Sequence, residues 1–348
     1  MTPKKKRRDA APAPNERAQE KRVGYGGNDR SGWLAHLPDS WIPYVQLARL
    51  SPPAGLCLIY FPHMFGILHA AIRQKSSLPQ VLSTSVLMLG GSFFVSNAIH
   101  IWNDLIDAPL DALVERTSKR PIPRGAVSKP AAVVFTATQA AGAGLFLACL
   151  PYPLVQSALY ALPSMVMWTY YPWAKRHTSC PQLVLGFVLA WGIIMGSLAM
   201  GLEPFAIGPM GYGMKPRMDV STLCLLLAST LWTMIYDTVY AHLDLKDDIK
   251  AGIQSLAVLY RDETKPLLWK LLGLMITLLV VGGITSGMGI FYFVVAVGGA
   301  ATSLGMLVAK VDLHDSESCW WWFSNGFWSV GGSITGGLTA EYLYQRLV

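Results

Sequence analysis

One short polar stretch, Asn103 to Arg124, gathers residue types that could bind a charged ligand. Asn103, Asp107 and Asp111 are spaced four residues apart, so on a helix their side chains would share one face. Four cations follow directly: Arg116, Lys119, Arg120 and Arg124. Carboxylate oxygens suit a hard cation such as Mg²⁺, and basic side chains suit phosphate oxygens. The stretch therefore predicts a site for a diphosphate carried on magnesium.

A second acidic stretch, residues 237–250, has a similar pattern. Its candidate ligands are separated by three, four and four residues, which predicts one helical face; they are Asp237, Tyr240, Asp244 and Asp248. Two carboxylate faces that meet across a bundle can hold two Mg²⁺ ions with a diphosphate between them. A single aspartate at a helix end would be an ordinary solvated residue. Acidic residues on two faces beside an uncharged bundle are unfavourable near lipid and indicate a ligand.

The rest of the chain is apolar and predicts an all-α membrane protein. Of its 348 residues, 52% are hydrophobic and 14% are charged, whereas soluble domains carry about 25% charged residues. Apolar runs long enough to cross a bilayer recur along the chain. The five cysteines show no CxxC pair and no metal-ligand spacing, so we expect no disulfide framework. The nine expected spans are residues 53–72, 81–102, 131–150, 154–172, 182–201, 220–240, 266–285, 288–309 and 321–343.

The first 39 residues differ from this body. Residues 1–30 contain nine Lys/Arg and four Asp/Glu, and the remaining chain is nearly neutral, which argues against a nucleic-acid-binding face. We expect a disordered basic tail at residues 1–39 that touches anionic lipid, followed by one intramembrane domain at residues 40–348. The tail lacks the apolar region of a signal peptide, and its acidic residues weaken a mitochondrial transit reading. With the N-terminus in the cytosol, the basic loops and both acidic stretches also face the cytosol.

Four motifs together resemble the UbiA superfamily of intramembrane prenyltransferases, most closely its 4-hydroxybenzoate polyprenyltransferase branch. They are NDxxDxxxD at residues 103–111, RTxxRPxxxG at 116–125, YPxxKR at 171–176 and DxxYxxxDxxxD at 237–248. Their order and spacing agree with the family, and the resemblance covers about residues 40–340. It implies nine helices around a central cavity that opens sideways to lipid, with a prenyl diphosphate head at the cytosolic mouth.

The resemblance also implies roles for individual residues. Asn103, Asp107 and Asp111 would hold one Mg²⁺, and Asp244 and Asp248 the other, with Asp237 assisting. The diphosphate contacts would come from Arg116, Lys119, Arg120 and Lys175, and Arg49 is a further candidate for an anion contact, on diphosphate or on an acceptor carboxylate. Tyr171 and Tyr240 would orient the acceptor or shield an allylic cation. A motif carboxylate or the released diphosphate would take the ring proton.

We therefore expect an enzyme that transfers a prenyl group, farnesyl by preference, to a phenolic or polyketide aromatic acid in secondary (meroterpenoid) metabolism. The expected membrane is the endoplasmic reticulum or another internal membrane. A 4-hydroxybenzoate polyprenyltransferase of quinone biosynthesis is the first alternative, and a membrane terpene cyclase is another. A transporter or lipid-binding protein is disfavoured, because transporter charges usually lie near the membrane midplane on broken helices.

Overall fold

The computed structural model describes residue 28, residues 30–205 and residues 219–347, and every regular element among them is helical. A 3-10 helix at Gly32–His36 comes first. The α-helices that follow are α1 (Ile42–Leu47), α2 (Ala54–Gln74), α3 (Leu78–Asp111), α4 (Lys129–Ala148), α5 (Leu154–His177), α6 (Pro181–Ala190), α7 (Gly192–Ala199), α8 (Val220–Ala241), α9 (Leu245–Ala251), α10 (Leu256–Tyr260), α11 (Thr264–Thr285), α12 (Gly298–Lys310) and α13 (Ser316–Leu347). A π-helical segment, Tyr292–Val297, runs directly into α12, and a 3-10 turn, Arg261–Glu263, joins α10 to α11.

Seven helical stretches in the described part of the chain are long and apolar enough to cross a membrane: Ala54–Gln74, Leu78–Asp111, Lys129–Ala148, Pro181–Ala199, Val220–Ala241, Leu256–Thr285 and Tyr292–Lys310. The other two expected spans fall on α5 and α13, which are long helices of lower apolar content. The all-α, multi-span architecture is thus confirmed, while the count of nine is not.

Capping residues define where several spans begin. Ser77 accepts a hydrogen bond from the Gln80 amide at the start of α3, and Ser128 does the same for Ala131 at the start of α4. Such caps satisfy backbone donors that the first turn of a helix leaves without a partner. The local sequence therefore sets these helix starts.

Helices α2 and α7 pack with their backbones in close contact. A Cβ atom on Gly66 would lie 2.1 Å from the carbonyl oxygen of Ile193, and one on Gly196 would lie 2.3 Å from that of His63. Only glycine permits this separation, which is typical of helix packing in membranes. The contact holds α7, whose residues are all buried, directly against α2.

The predicted tail of residues 1–39 lies mostly outside the described residues. In its described part, the 3-10 helix buries Leu34 and leaves Trp33 half-exposed. Helix α1 follows with Trp41 exposed. A short helix is therefore present between residues 30 and 39, and the exposed aromatic rings beside it suit the level of the lipid headgroups.

Candidate active site

The first acidic stretch lies on the last turns of α3. This helix continues for 34 residues to Asp111, beyond the expected end of the second span at residue 102. Its helical spacing brings Asn103, Asp107 and Asp111 to one face, as the sequence predicts, and all three line one cavity. Asp107 and Asp111 are nevertheless buried, at 1% and 7% exposure. Two buried carboxylates at the end of an apolar helix require compensating charge.

The second acidic stretch is not one continuous helical face, so that prediction was wrong. Helix α8 ends at Ala241, and α9 begins only after Asp244. Asp237 and Tyr240 therefore lie on α8, whereas Asp244 is the residue before α9 and Asp248 lies within α9. The break turns the chain across the end of the bundle. It brings Asp244 and Asp248 to the cavity that α3 lines.

Twelve of the thirteen residues predicted for the site line this one cavity, which has a volume of about 240 Å³. They are Arg49, Asn103, Asp107, Asp111, Arg116, Arg120, Tyr171, Lys175, Asp237, Tyr240, Asp244 and Asp248. Lys119 is the exception, because its side chain is exposed and is absent from the described lining. We name the space around the twelve residues the charged cavity. It combines five carboxylates with four cations, so the formal charge of its lining is −1.

Three of the cations are paired with carboxylates of the predicted metal sites. Arg120 Nη1 lies 2.9 Å from Asp111 Oδ2, and Lys175 Nζ lies 2.8 Å from Asp107 Oδ2. Arg116 donates from Nε to Asp244 Oδ1 at 2.9 Å, and its Nη2 donates to Asp244 Oδ2. The last pair joins residues 128 positions apart. The two acidic stretches are thereby connected through basic residues of the loop after α3.

Burial and neighbouring charge shift the pKa values of Asp244, just before α9, and Asp248, within α9, in opposite directions. Burial alone would raise the pKa of Asp244, but the hydrogen bonds and charge of Arg116 hold it below its usual range. Burial, followed by the nearby charge of Asp244, raises the pKa of Asp248 to about 7. The Asp248 carboxyl therefore lacks the compensation that Arg116 gives to Asp244, and a bound cation would supply it.

The donor set of the charged cavity fits a magnesium ion. Asn103 Oδ1 and Asp107 Oδ1 are buried oxygens without a hydrogen-bond partner, on residues that line the cavity. Such oxygens are ligands that Mg²⁺ accepts. Within the described ranges, however, no three Asp, Glu, His or Cys side chains already converge into a group that would hold a metal. Arg116, Arg120 and Lys175 each hold a carboxylate of this set in an ion pair.

Aromatic rings also line the charged cavity. Tyr171, Trp168 and Tyr240 line it together with Phe323 of α13. The Tyr240 and Phe323 ring centroids are 4.5 Å apart, and the Arg116 guanidinium carbon lies 5.3 Å from the Tyr240 centroid. These ring faces present negative charge density to a cation. The cavity therefore combines charged groups with aromatic surfaces.

A second, mostly apolar cavity of about 430 Å³ adjoins the first. The two share four wall residues, Ile59, Ile99, Trp168 and Leu189. We name it the apolar cavity. It lies among α2, α3, α4, α5, α6 and α7, and Gly144 of α4, which lines it, is exposed on the outer surface. The two cavities therefore lie side by side, and the apolar one has an exposed residue in its wall.

The sequence interpretation assigned no role to the polar residues that attach the second acidic stretch to α5 and α6. Gln182 Oε1 accepts a hydrogen bond from the backbone amide of Leu256 at 3.1 Å. The backbone amide of Gln254 donates to the backbone carbonyl of Lys175 at 2.9 Å. Both glutamines line the charged cavity. For Gln182 the sequence signal is Pro181-Gln182 at the start of a span, whereas Gln254 lies in a loop, where no periodicity reveals it.

Comparison with known sequences finds a consistent set of relatives. The sequence model of the UbiA prenyltransferase family matches residues 59–331. The mitochondrial 4-hydroxybenzoate polyprenyltransferase of Schizosaccharomyces pombe is 33% identical over 320 residues, covering 92% of this chain and 85% of that protein. Prenyltransferase stbC of Stachybotrys bisbyi is 32% identical over 319 residues, covering 91% of this chain and 92% of that protein.

Solved structures share the fold at lower identity. The apo structure of a UbiA homolog from Aeropyrum pernix aligns with a TM-score of 0.62 at 21% identity, covering 83% of this chain and 98% of that one. A UbiA homolog from Archaeoglobus fulgidus bound to GPP and Mg²⁺ aligns with a TM-score of 0.61 at 17% identity, covering 85% of this chain and 98% of that one.

Proposed function

Because this chain belongs to the UbiA prenyltransferase family, we propose that it transfers a prenyl group, farnesyl by preference, from an allylic diphosphate to a ring carbon of a phenolic acid. The observation that carries the proposal is the pair of neighbouring cavities, which share four wall residues. One is lined by carboxylates and cations, and the other is mostly apolar. An amphiphilic donor with an anionic head and a hydrocarbon chain matches both.

The head of the donor would lie in the charged cavity. With a lining charge of −1, two Mg²⁺ ions and a diphosphate ester of charge −3 would bring the sum to zero. Asn103, Asp107 and Asp111 would hold one ion, and Asp244 and Asp248 the other, near Asp237. Bound there, magnesium supplies electrostatic stabilisation of the departing diphosphate. Arg116, Arg120 and Lys175 would then turn from the carboxylates to phosphate oxygens.

The transfer itself requires no covalent nucleophile from the protein. The bond between the allylic carbon and the diphosphate oxygen breaks, and the electron pair leaves with diphosphate. The ring carbon of the acceptor forms the new bond, and its proton passes to a carboxylate or to the released diphosphate. Tyr171 and Tyr240 would face the allylic cation and keep water from it.

The donor chain would lie in the apolar cavity. A volume of about 430 Å³ lies in the lower part of the range for small-ligand sites, about 300–1,000 Å³. Such a chamber favours a short isoprenoid over a long polyprenyl chain, which would have to pass out past α4 into lipid. This limited volume supports farnesyl as the donor.

The proposed setting is an internal membrane such as the endoplasmic reticulum, with the charged cavity at the cytosolic face and the chain from residue 40 onwards as one domain.

A second candidate is the polyprenyltransferase reaction on 4-hydroxybenzoate. The relative from Schizosaccharomyces pombe carries that name, and its similarity covers 92% of this chain. Gly144 lines the apolar cavity and is exposed, so a longer chain would leave the cavity beside this residue. The two candidates share the site and the chemistry and differ in chain length and acceptor.

An assay on isolated membranes distinguishes them. Membranes with the expressed protein would receive geranyl, farnesyl, geranylgeranyl or longer polyprenyl diphosphate, each with 4-hydroxybenzoate or orsellinic acid, with magnesium or EDTA. We expect a farnesylated orsellinic acid that forms only with magnesium. Product from 4-hydroxybenzoate alone, best with long donors, would establish the second candidate. Consumption of the donor without transfer to any acceptor would refute both in favour of cyclisation.

A further inference from the structure

His100 is a polar residue of the charged cavity that belongs to neither acidic stretch. It lies on α3, three residues before Asn103, and its ring lines the charged cavity. Its neighbour Ile99 lines both cavities. The imidazole therefore lies close to the wall that the two cavities share, where the head of a bound donor would continue into its hydrocarbon chain.

The hydrogen bonds of His100 fix which ring nitrogen carries the proton. Nδ1 lies 2.7 Å from the backbone carbonyl oxygen of Ser96, one turn earlier on α3, and 3.3 Å from the Ser96 hydroxyl. A carbonyl oxygen can only accept, so Nδ1 donates, and Nε2 of the neutral ring is an acceptor. Among the described residues nothing donates to Nε2, yet this nitrogen is not sealed in the protein interior. Nε2 is therefore an open acceptor in the wall of the charged cavity.

Helix α2 provides the space for this ring at Gly55, in its first turn. A Cβ atom at this position would lie 2.2 Å from Cε1 of His100 and 2.6 Å from Nε2. Both distances are too short for any side chain, so the ring would have to move if residue 55 were larger. A substitution at Gly55 can therefore displace the imidazole without altering His100 itself.

The chemistry of Nε2 restricts what it can bind. Phosphate oxygens are acceptors and cannot pair with another acceptor, and Mg²⁺ prefers oxygen ligands. The group that fits is a hydroxyl that donates its proton, and a phenolic acceptor carries one on the ring that must react. Two positive charges and one negative charge act on the imidazole, those of Arg49, Arg120 and Asp104. This balance favours a phenolate over the neutral phenol.

We propose that His100 is a catalytic residue that binds the phenolic hydroxyl of the aromatic acceptor through Nε2 and takes its proton while the ring attacks the allylic carbon. The inference rests on the proposed prenyl transfer. The O–H bond breaks as the new carbon–carbon bond forms, which leaves a neutral dienone and an imidazolium. The ring carbon then gives its proton to the released diphosphate, and the oxygen recovers a proton from the imidazolium. The aromatic ring and the neutral imidazole are both restored, with one proton passed to diphosphate.

The test compares a phenol with its methyl ethers, which cannot donate from the methylated oxygen. Quenching of tryptophan fluorescence would report the affinity of the purified protein for orsellinic acid and for its 2-O-methyl and 4-O-methyl ethers, without turnover. Because a methyl ether leaves Nε2 unpaired, the unaltered protein should bind one of the two ethers about tenfold or more weakly than the acid. In His100→Phe, which keeps a planar ring, this ratio should fall to near one. His100→Gln, which offers an amide oxygen as acceptor, should retain part of it.

Two further variants keep the result independent of the substitution at His100. Gly55→Ala should displace the imidazole and lower the ratio as His100→Phe does. Ser96→Ala is the matched control, because it removes the hydroxyl and keeps the backbone carbonyl that holds Nδ1, so its ratio should equal that of the unaltered protein. His100→Phe and Ser96→Ala should both leave the affinity for farnesyl thiodiphosphate unchanged, because an acceptor nitrogen does not bind a diphosphate.

The binding measurement separates this inference from the proposed function. A ratio that falls in His100→Phe and in Gly55→Ala supports the hydroxyl contact even if no prenyl transfer is found. Equal binding of the acid and both ethers to the unaltered protein, an unchanged ratio in His100→Phe, or no binding of any of the three refutes it even if transfer is found. In the transfer assay, kcat on orsellinic acid should fall about a hundredfold in His100→Phe with little change in the KM of the donor. An unchanged kcat would overturn the proton transfer.

Discussion

Replacing Arg116 with glutamine should change metal binding and donor binding in opposite directions. In the structure Arg116 makes two hydrogen bonds to Asp244, in a setting where the two side chains are 11% and 15% exposed. A proposed metal ligand is thus already occupied by a cation. Removing that cation frees Asp244 for magnesium, but it also removes a contact to the diphosphate.

The magnitude follows from the hydrogen bonds involved. A hydrogen bond to a charged group contributes roughly 1.5–3 kcal/mol net, and about 1.4 kcal/mol corresponds to a factor of ten. The limited exposure of both side chains means that solvent screens the pair only weakly. Arg116→Gln should therefore bind Mg²⁺ alone roughly tenfold to a hundredfold more tightly. When magnesium is saturating, the affinity of the variant for the unreactive analogue farnesyl thiodiphosphate should be lower than that of the unaltered protein by a similar factor.

Both affinities can be measured by isothermal titration calorimetry on the purified protein in detergent. Arg124→Gln is the control, because Arg124 contacts Gln46 and a backbone carbonyl and is absent from the described cavity lining. This control should match the unaltered protein in both titrations. If Arg116→Gln weakens magnesium and the analogue alike, then Arg116 does not compete with metal for Asp244.

Three further perturbations test other parts of the molecule. Asp107→Asn should lower transfer at least a hundredfold at moderate magnesium while the protein remains folded in the membrane, since a ligand oxygen loses its charge; a product assay across magnesium concentrations would refute this by finding an unchanged rate. Gly144→Leu should fill the apolar cavity without a clash, because a Cβ there meets nothing within 4 Å, so kcat/KM should shift from farnesyl towards geranyl diphosphate while Gly144→Ala keeps the original preference. Asp219 caps α8, and its pKa is lowered. Burial alone would raise this pKa, but hydrogen bonds from Thr222 and Ser221 and the charge of Arg73 outweigh burial. A lowered pKa stabilises the fold above the unfolded value of about 3.9 and loses that contribution as pH falls through the folded value. Asn also caps helices well, so Asp219→Asn tests the charge, and thermal melting should show the variant about 1 kcal/mol less stable at pH 7, because hydrogen bonds to a charged group are stronger than neutral ones. The difference should shrink below pH about 4; an equal gap at every pH would contradict it.

The sequence predicts the first acidic stretch well because a single physical rule governs it. Asn103, Asp107 and Asp111 follow helical spacing, and α3 remains helical through all of them. The same rule fails for the second stretch, where α8 ends at Ala241 and the chain turns before Asp244. Nothing in the spacing of its aspartates marks that turn, since helix-compatible spacing does not exclude a break.

Sequence patterns do not show which residues far apart in the chain contact each other in the fold. The contact of Arg116 with Asp244 and that of Lys175 with Asp107 depend on how whole helices pack. Lys119 illustrates the converse, because it lies between cavity-lining cations in sequence yet points its side chain to the surface. In a loop without regular geometry, neighbouring positions do not share a direction. The apolar cavity was equally hidden, since its walls come from six different helices.

The binding of farnesyl thiodiphosphate to the purified protein, with and without magnesium, tests most directly whether the two acidic stretches hold one diphosphate. The unaltered protein should bind the analogue tightly with magnesium and at least tenfold more weakly with EDTA. Asp107→Asn on α3 and Asp248→Asn on α9 should each lose most of the magnesium-dependent affinity, because each removes charge from one side of the same ligand. Equal affinity with EDTA, or full affinity in either variant, would contradict a diphosphate shared between the two stretches.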